Sequence, residues 1–335
     1  MEDTTKYRLQ LKFRVGKSLD TQDSALRASI SGRTVTIESE NRGEPLSKTY
    51  WLVMNCRGFE TEAQAREFGE ELRRATHLVG LCNRVGVDAR DPGEDRVVSA
   101  FNPEVFRSVN PKKRLAPDVH GIVILPDDGN NVVGRGFASV QVRANAGHFV
   151  RSLEECLPEN GPLRSGSPSI RRAIRVLSLA EINEDPIGKL VLAVSTIEGL
   201  ATGHPSWTDG QRKLIECAAA SLEPAHGDEE EAVQVREAIR RVRNESIRQR
   251  IRKLLEANDL SNVWRDWDSL YGRRSDLFHG RSAAGSEHRG SHLEESALLA
   301  LGEEAIKLCA RIVLSLAQRE GIAVPGHAKV HFGVD

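Results

Sequence analysis

Tyr7, Leu9, Leu11, Phe13 and Val15 alternate with Arg8, Gln10, Lys12 and Arg14. A period of two puts the apolar members on one face of a half-buried strand. Ala28 to Ile37 and Tyr50 to Asn55 carry the same signal in weaker form. At Thr61 the period changes. Gln64 follows three residues on, as a capping box requires, and Ala65, Phe68 and Leu72 form a helical stripe. Residues 86 to 120 carry Pro92, Pro103, Pro111 and Pro117 and predict a long irregular connection. Ile122 to Leu125 and Phe137 to Val142 flank Asp127-Asp128-Gly129-Asn130-Asn131, which predicts a hairpin. A short helix is expected near His148 to Leu157.

Pro158 to Pro168 is rich in Gly, Pro and Ser, and the domain boundary is placed there. Beyond it the spacing is helical. Ile170, Ala173, Ile174, Leu177 and Ala180 form one stripe, and Leu190, Val194, Ile197 and Leu200 form the next, which Asp185-Pro186 opens. Gln211 to Leu222 predicts a shorter helix. Asp228 to Asn258 has no Pro and starts on four acidic residues that suit the positive end of a helix dipole, so it predicts one long helix. Trp264 to Phe278, ended by His279-Gly280, and His292 to Arg319 complete the set. The fold class expected is an α+β N-terminal domain followed by an all-α helical bundle. The expected divisions are residues 1–160, 168–322 and a C-terminal tail, 323–335.

Composition narrows the function classes. The formal net charge is −1, so no global basic field draws in nucleic acid. Five scattered cysteines without a CxxC pair exclude a zinc ribbon and fit reduced thiols in a cytosol. Met1 to Lys6 lacks the apolar core of a signal peptide, and no apolar run approaches the length of a membrane span. A cytoplasmic protein with no membrane partner is expected. Gly129, Gly134 and Gly136 open no helix and make no dinucleotide fingerprint, and no phosphate loop or Ser-His-Asp signature occurs. His288 and His292 are four apart but sit in a Gly/Ser-rich stretch with no third ligand, so no metal and no cofactor are expected.

The most pointed chemistry is Arg274-Ser275-Asp276-Leu277-Phe278-His279-Gly280. A guanidinium holds a phosphate by two hydrogen bonds, and an imidazole moves protons near neutral pH. Arg followed by four to six residues and then His also occurs at Arg114/His120, Arg143/His148, Arg273/His279 and Arg281/His288, so spacing alone decides little. Arg274 differs in lying on an all-helical stretch, with a polar residue after it and a His at the helix end. Two readings compete. In one, Arg274 and His279 form a site. In the other, Arg274 pairs with Asp276 or a nearby Glu, and His279 is a helix-end residue favoured by the dipole.

Three segments resemble the HEPN family, and its ApeA-like branch in particular. They are Ile174 to Ala180, Leu190 to Leu200 and Leu270 to Gly280. The resemblance spans roughly residues 168 to 320. It implies a helical bundle that forms a homodimer and cuts RNA without metal, a ribonuclease of the antiviral-defence or toxin type. It assigns Arg274 and His279 as catalytic, with Ser275 at the polar position where many members carry Asn, Asp or His. Asp276 and Glu198 are supporting candidates, Glu198 because it interrupts an apolar helix. Arg240, Arg243 and Arg248, in the Arg-rich stretch 236–253, are candidates for tracking an RNA backbone. The alternative is an exposed helix laced with Glu237, Glu245 and Glu256. The N-terminal domain is expected to sense a trigger, such as one from phage, or to bind a regulatory protein. The competing class is a non-catalytic dimerisation or nucleotide/RNA-binding module.

Overall fold

The computed structural model describes residues 6–90, 93–99, 114–116, 118–128, 131–133, 143–157, 166–201, 208–222, 229–241, 245–279 and 295–334. An antiparallel sheet region leads into a helical region. The strands are β1 (Tyr7–Val15), β2 (Ser18–Leu19), β3 (Ala25–Ile30), β4 (Arg33–Ser39), β5 (Trp51–Phe59), β6 (Val87–Asp88), β7 (Arg96–Ser99), β8 (Arg114–Ala116), β9 (Asp118–Pro126), β10 (Asn131–Val133) and β11 (Arg143–Ala144). The helices are α1 (Glu62–Cys82), α2 (Ala146–Cys156), α3 (Pro168–Ile182), α4 (Pro186–Ala201), α5 (Asp209–Ala220), α6 (Glu229–Arg241), α7 (Ile247–Glu256), α8 (Trp264–His279), α9 (Glu295–Arg319) and α10 (Gly326–Phe332). No described helix is long and apolar enough to cross a membrane.

The main sheet runs β3-β4-β5-β1-β9-β7, with β6 also paired to β1. Its apolar face takes α1. Leu9, Leu11, Phe13 and Val15 are fully buried on that side, and Ala65, Phe68, Leu72 and Val79 meet the sheet from α1. Thr61 caps this helix by accepting from the Gln64 N–H (3.2 Å). The Gln64 side chain accepts in return from Glu60 rather than Thr61. Gly80 lets α1 approach closely, since a β-carbon there would strike the Val87 side chain. The polar face of β1 is not solvated as its alternation suggests. Gln10 and Lys12 are buried, and Lys12 Nζ lies 2.7 Å from both Glu40 Oε1 and Asp118 Oδ1. Beside them His120 Nδ1 accepts from Arg90 Nε (3.1 Å), and its Nε2 bonds the Asp88 carbonyl (2.8 Å).

Several boundaries differ from the sequence expectation, each for a local reason. The run Ala28–Ile37 is two strands, because Ser31 and Gly32 both take positive φ (47° and 70°) and turn the chain into a hairpin. The expected irregular connection at 86–120 contains β6, β7, β8 and the start of β9. Gly121 sits in β9 at φ 122°, and a β-carbon there would land on the Asp95 carboxylate. That carboxylate instead accepts from the Ile122 N–H (3.1 Å) and pairs with the buried Arg73 (2.9 Å). Near the expected hairpin, Asn131–Val133 pairs in parallel with β8, while Phe137 to Val142 lie outside the described residues. The single helix expected over Asp228–Asn258 is α6 and α7. Ser246 and Gln249 form a reciprocal capping box that starts a new helix. The expected tail holds α10, whose Ala328 and Phe332 are buried and whose Gly333 closes it in the left-handed conformation.

Two compact units emerge, residues 1–193 with 291–335, and residues 194–290. These limits fall at Val194 and Ser291 rather than in the Gly/Pro-rich stretch before Pro168. The reason is packing, since α3 lies against α1 and α9 lies against α3. An ionic cluster fastens the first unit. Arg84 pairs with Glu181, whose side chain is fully buried, and with Glu303, which also pairs with Lys189.

Candidate functional site

The candidate catalytic residues lie in the second unit. Its core there includes Val194, Ile197 and Ala201 of α4, Ile251, Leu254 and Leu255 of α7, and Trp267 and Leu270 of α8. Trp267 is fully buried and stacks 5.8 Å from Trp264, with Tyr271 one turn further on at 5.1 Å. This aromatic row fixes one face of α8. Arg274, three residues after Tyr271, emerges beside that row.

Arg274 Nη1 donates to Glu198 Oε1 at 3.1 Å. Both side chains are partly accessible, 26% for the arginine and 21% for the glutamate. The pairing answers one question posed by the sequence. A carboxylate from α4, 76 positions away, holds the guanidinium, and Asp276 is exposed on another side of α8. Ser275 is half-buried. His279 is the last residue of α8, and its side chain lies outside the described set. On an α-helix, Ser275 and His279 share a face, while Arg274 and His279 stand about 7.5 Å apart along the axis and roughly 140° apart around it. Positions 274 and 279 of α8 therefore fall on different sides of the helix axis.

Tyr271 has a second neighbour that sequence reasoning did not connect to the site. The Arg248 guanidinium carbon lies 5.0 Å from the Tyr271 ring centre, and that of Arg274 lies 6.0 Å from the same centre. Both fall within the range of cation–π attraction. Arg248 is anchored by Asp268, Nε to Oδ1 at 2.8 Å. The one available signal was helical spacing, since Asp268, Tyr271 and Arg274 succeed one another at intervals of three. Arg248, a candidate for tracking an RNA backbone, comes from another helix, and nothing local linked it to Tyr271.

The Arg-rich stretch is largely neutralised where it is described. Arg252 pairs with Glu256 (2.8 Å), and Lys253 pairs with the buried Glu245. The Arg240 side chain and all of Arg243 lie outside the described residues. Among the described residues, no group of three or more His, Cys, Asp or Glu side chains is placed to hold a metal ion. His288 and His292 lie outside that set.

The other candidate clusters are in the first unit. His77 is buried on α1, and its Nε2 accepts from the Ala89 N–H (3.2 Å). Burial, reinforced by Arg175, pushes its pKa down to about 3 although Asp88 opposes the shift. Burial also lowers the pKa of His120. Both rings are used as neutral hydrogen-bonding groups within closed networks, which is a structural role. No protein-family model, curated protein or solved structure matches this chain.

Proposed function

We propose that this protein is a metal-independent endoribonuclease of the HEPN type, cytoplasmic and homodimeric, with Arg274 and His279 as its catalytic residues. The observation that carries the reading is the Arg274–Glu198 bond. A partly exposed guanidinium on α8 is held from another helix, five residues before the His that ends α8.

The chemistry needs no further cofactor. The RNA 2′-oxygen attacks the adjacent phosphorus and gives up its proton to an imidazole acting as general base. The bond from phosphorus to the 5′-oxygen breaks, and that oxygen takes a proton from an imidazolium. The products are a 2′,3′-cyclic phosphate and a 5′-hydroxyl. His279 fills one proton-transfer role, and His279 of a second copy fills the other. Arg274 stabilises the charge that grows on the non-bridging oxygens. Glu198 keeps its guanidinium aimed. The sheet-containing unit receives the activating signal, from a regulatory protein or a phage component.

The test is digestion of a defined RNA in the presence of a chelator, with analysis of the new ends. A cyclic phosphate is expected, and a single 2′-deoxy substitution at the cut nucleotide abolishes cleavage. Cleavage that persists at the deoxy position overturns the mechanism. A second reading draws on the same ion pair. Glu198 offsets the Arg274 charge, as in a non-catalytic dimerisation or nucleotide-binding module. Tight RNA binding without any cleavage is the result that favours it.

A further inference from the structure

We propose that Arg248, steadied by Tyr271 and Asp268, is a second phosphate-binding residue beside Arg274, so that the site takes single-stranded RNA carrying a phosphate next to the scissile one. This inference rests on the ribonuclease reading.

Two guanidinium groups lie within cation–π range of one tyrosine ring. Arg248 reaches it from α7, and Arg274 reaches it from α8. Their carbons are therefore no further apart than the two ring distances combined, a span that one or two steps of a flexible single strand can bridge. Arg248 is half exposed, at 47%. Its described contacts are Nε to the Asp268 carboxylate (2.8 Å) and Nη2 to the Asp268 carbonyl (3.5 Å). The first is an ion pair and the second a hydrogen bond from one of its five N–H donors, and an edge of the planar fork remains for a phosphate. Asp268 offsets part of the charge, yet it also fixes the orientation of a side chain that otherwise loses rotamer freedom on binding. Tyr271 sets the separation. Its ring packs on the fully buried Trp267, which holds in place the ring that both cations meet.

The arrangement favours a single strand for a chemical reason as well. Attack by the 2′-oxygen requires it to line up opposite the leaving 5′-oxygen, and a stacked A-form helix holds the two out of line. A short strand pinned at neighbouring phosphates by Arg274 and Arg248 leaves the linkage free to rotate into line.

The experiment compares a diribonucleotide, which has only the scissile phosphate, with a triribonucleotide that has one more. Wild type, Arg248→Ala and Arg248→Gln are assayed, the Gln variant preserving the packed stem should the Ala variant fold poorly. Wild type is expected to prefer the longer substrate through a lower KM. Both variants lose that preference by about tenfold, the size of one charged hydrogen-bonded contact, read as the ratio of kcat/KM for the longer substrate to that for the shorter. The slope of log affinity against log salt for a 2′-O-methyl oligonucleotide falls by about one in the variants. If wild type cleaves and the variants keep its preference, the second phosphate site is wrong and the ribonuclease reading stands. If wild type cleaves neither substrate, the ribonuclease reading fails and takes this inference with it.

Discussion

Lys12 and Arg274 are both cations held by carboxylates, and the difference between them separates scaffold from site. Lys12 lies between Glu40 and Asp118 with all three side chains at most 7% exposed. Its partners are Asp118 at the start of β9 and Glu40 just past the end of β4. Arg274 and Arg248 each meet a carboxylate too, but both pairs keep an open side. Ions taken out of water are committed to each other, because losing one partner strands the rest. Ions at the surface contribute little to stability and remain available to a ligand. The first unit spends its charge on architecture, and the second keeps some of it accessible.

The largest expected effect lies on the buried side of this comparison. Lys12→Met removes the cation shared by two buried carboxylates and should lower unfolding free energy by about 3–5 kcal/mol, read by urea denaturation. A loss below about 1 kcal/mol would place Lys12 with the surface pairs instead. Next comes pH. His77 has a folded-state pKa below its unfolded value, so the unfolded chain binds the extra proton. Its contribution is fully present above the unfolded value of about 6.5 and is lost as pH falls toward about 3. The slope approaches roughly 1.4 kcal/mol per pH unit for this group. Denaturation midpoints at pH 7 and pH 5 check it, and His77→Gln should flatten the difference.

The accessible pairs should behave in the opposite way. Glu198→Gln is expected to change stability by no more than about 1 kcal/mol. It should reduce kcat on the order of tenfold through misalignment of Arg274, with KM almost unchanged. A large stability loss with unaltered kcat would make Glu198 a structural residue. The smallest effect belongs to Ser246→Ala, which removes the α7 capping box and costs about 1 kcal/mol. Because Arg248 lies on the first turn of α7, the change should also raise KM for the longer RNA substrate.

Much of the fold was legible because its signals are local. The β1 alternation, the Thr61 cap, the Asp185-Pro186 start of α4 and the extent of α8 all follow from residues within a few positions of one another. The misses have physical causes of the same kind. Ser31-Gly32 turns the chain through positive φ at a serine, which no hydrophobic pattern reveals. Ser246 starts a helix inside a run that reads as continuous, because a polar cap looks like any exposed position. The first unit gathers α9 and α10 from the far end of the chain, which composition does not show. In the site, Glu198 stood out as a carboxylate in an apolar stripe. Arg248 was named as a basic residue of a helix, but its meeting with Tyr271 depends on how α7 packs on α8.

The central claim is that Arg274 and His279 together cleave RNA. The most direct measurement is single-turnover cleavage of one labelled RNA, with chelator present, by wild type, Arg274→Ala and His279→Ala. Wild type should cut, and each variant should be slower by about a hundredfold or more while keeping its circular dichroism and melting profile. Both variants cutting at the wild-type rate would contradict the account.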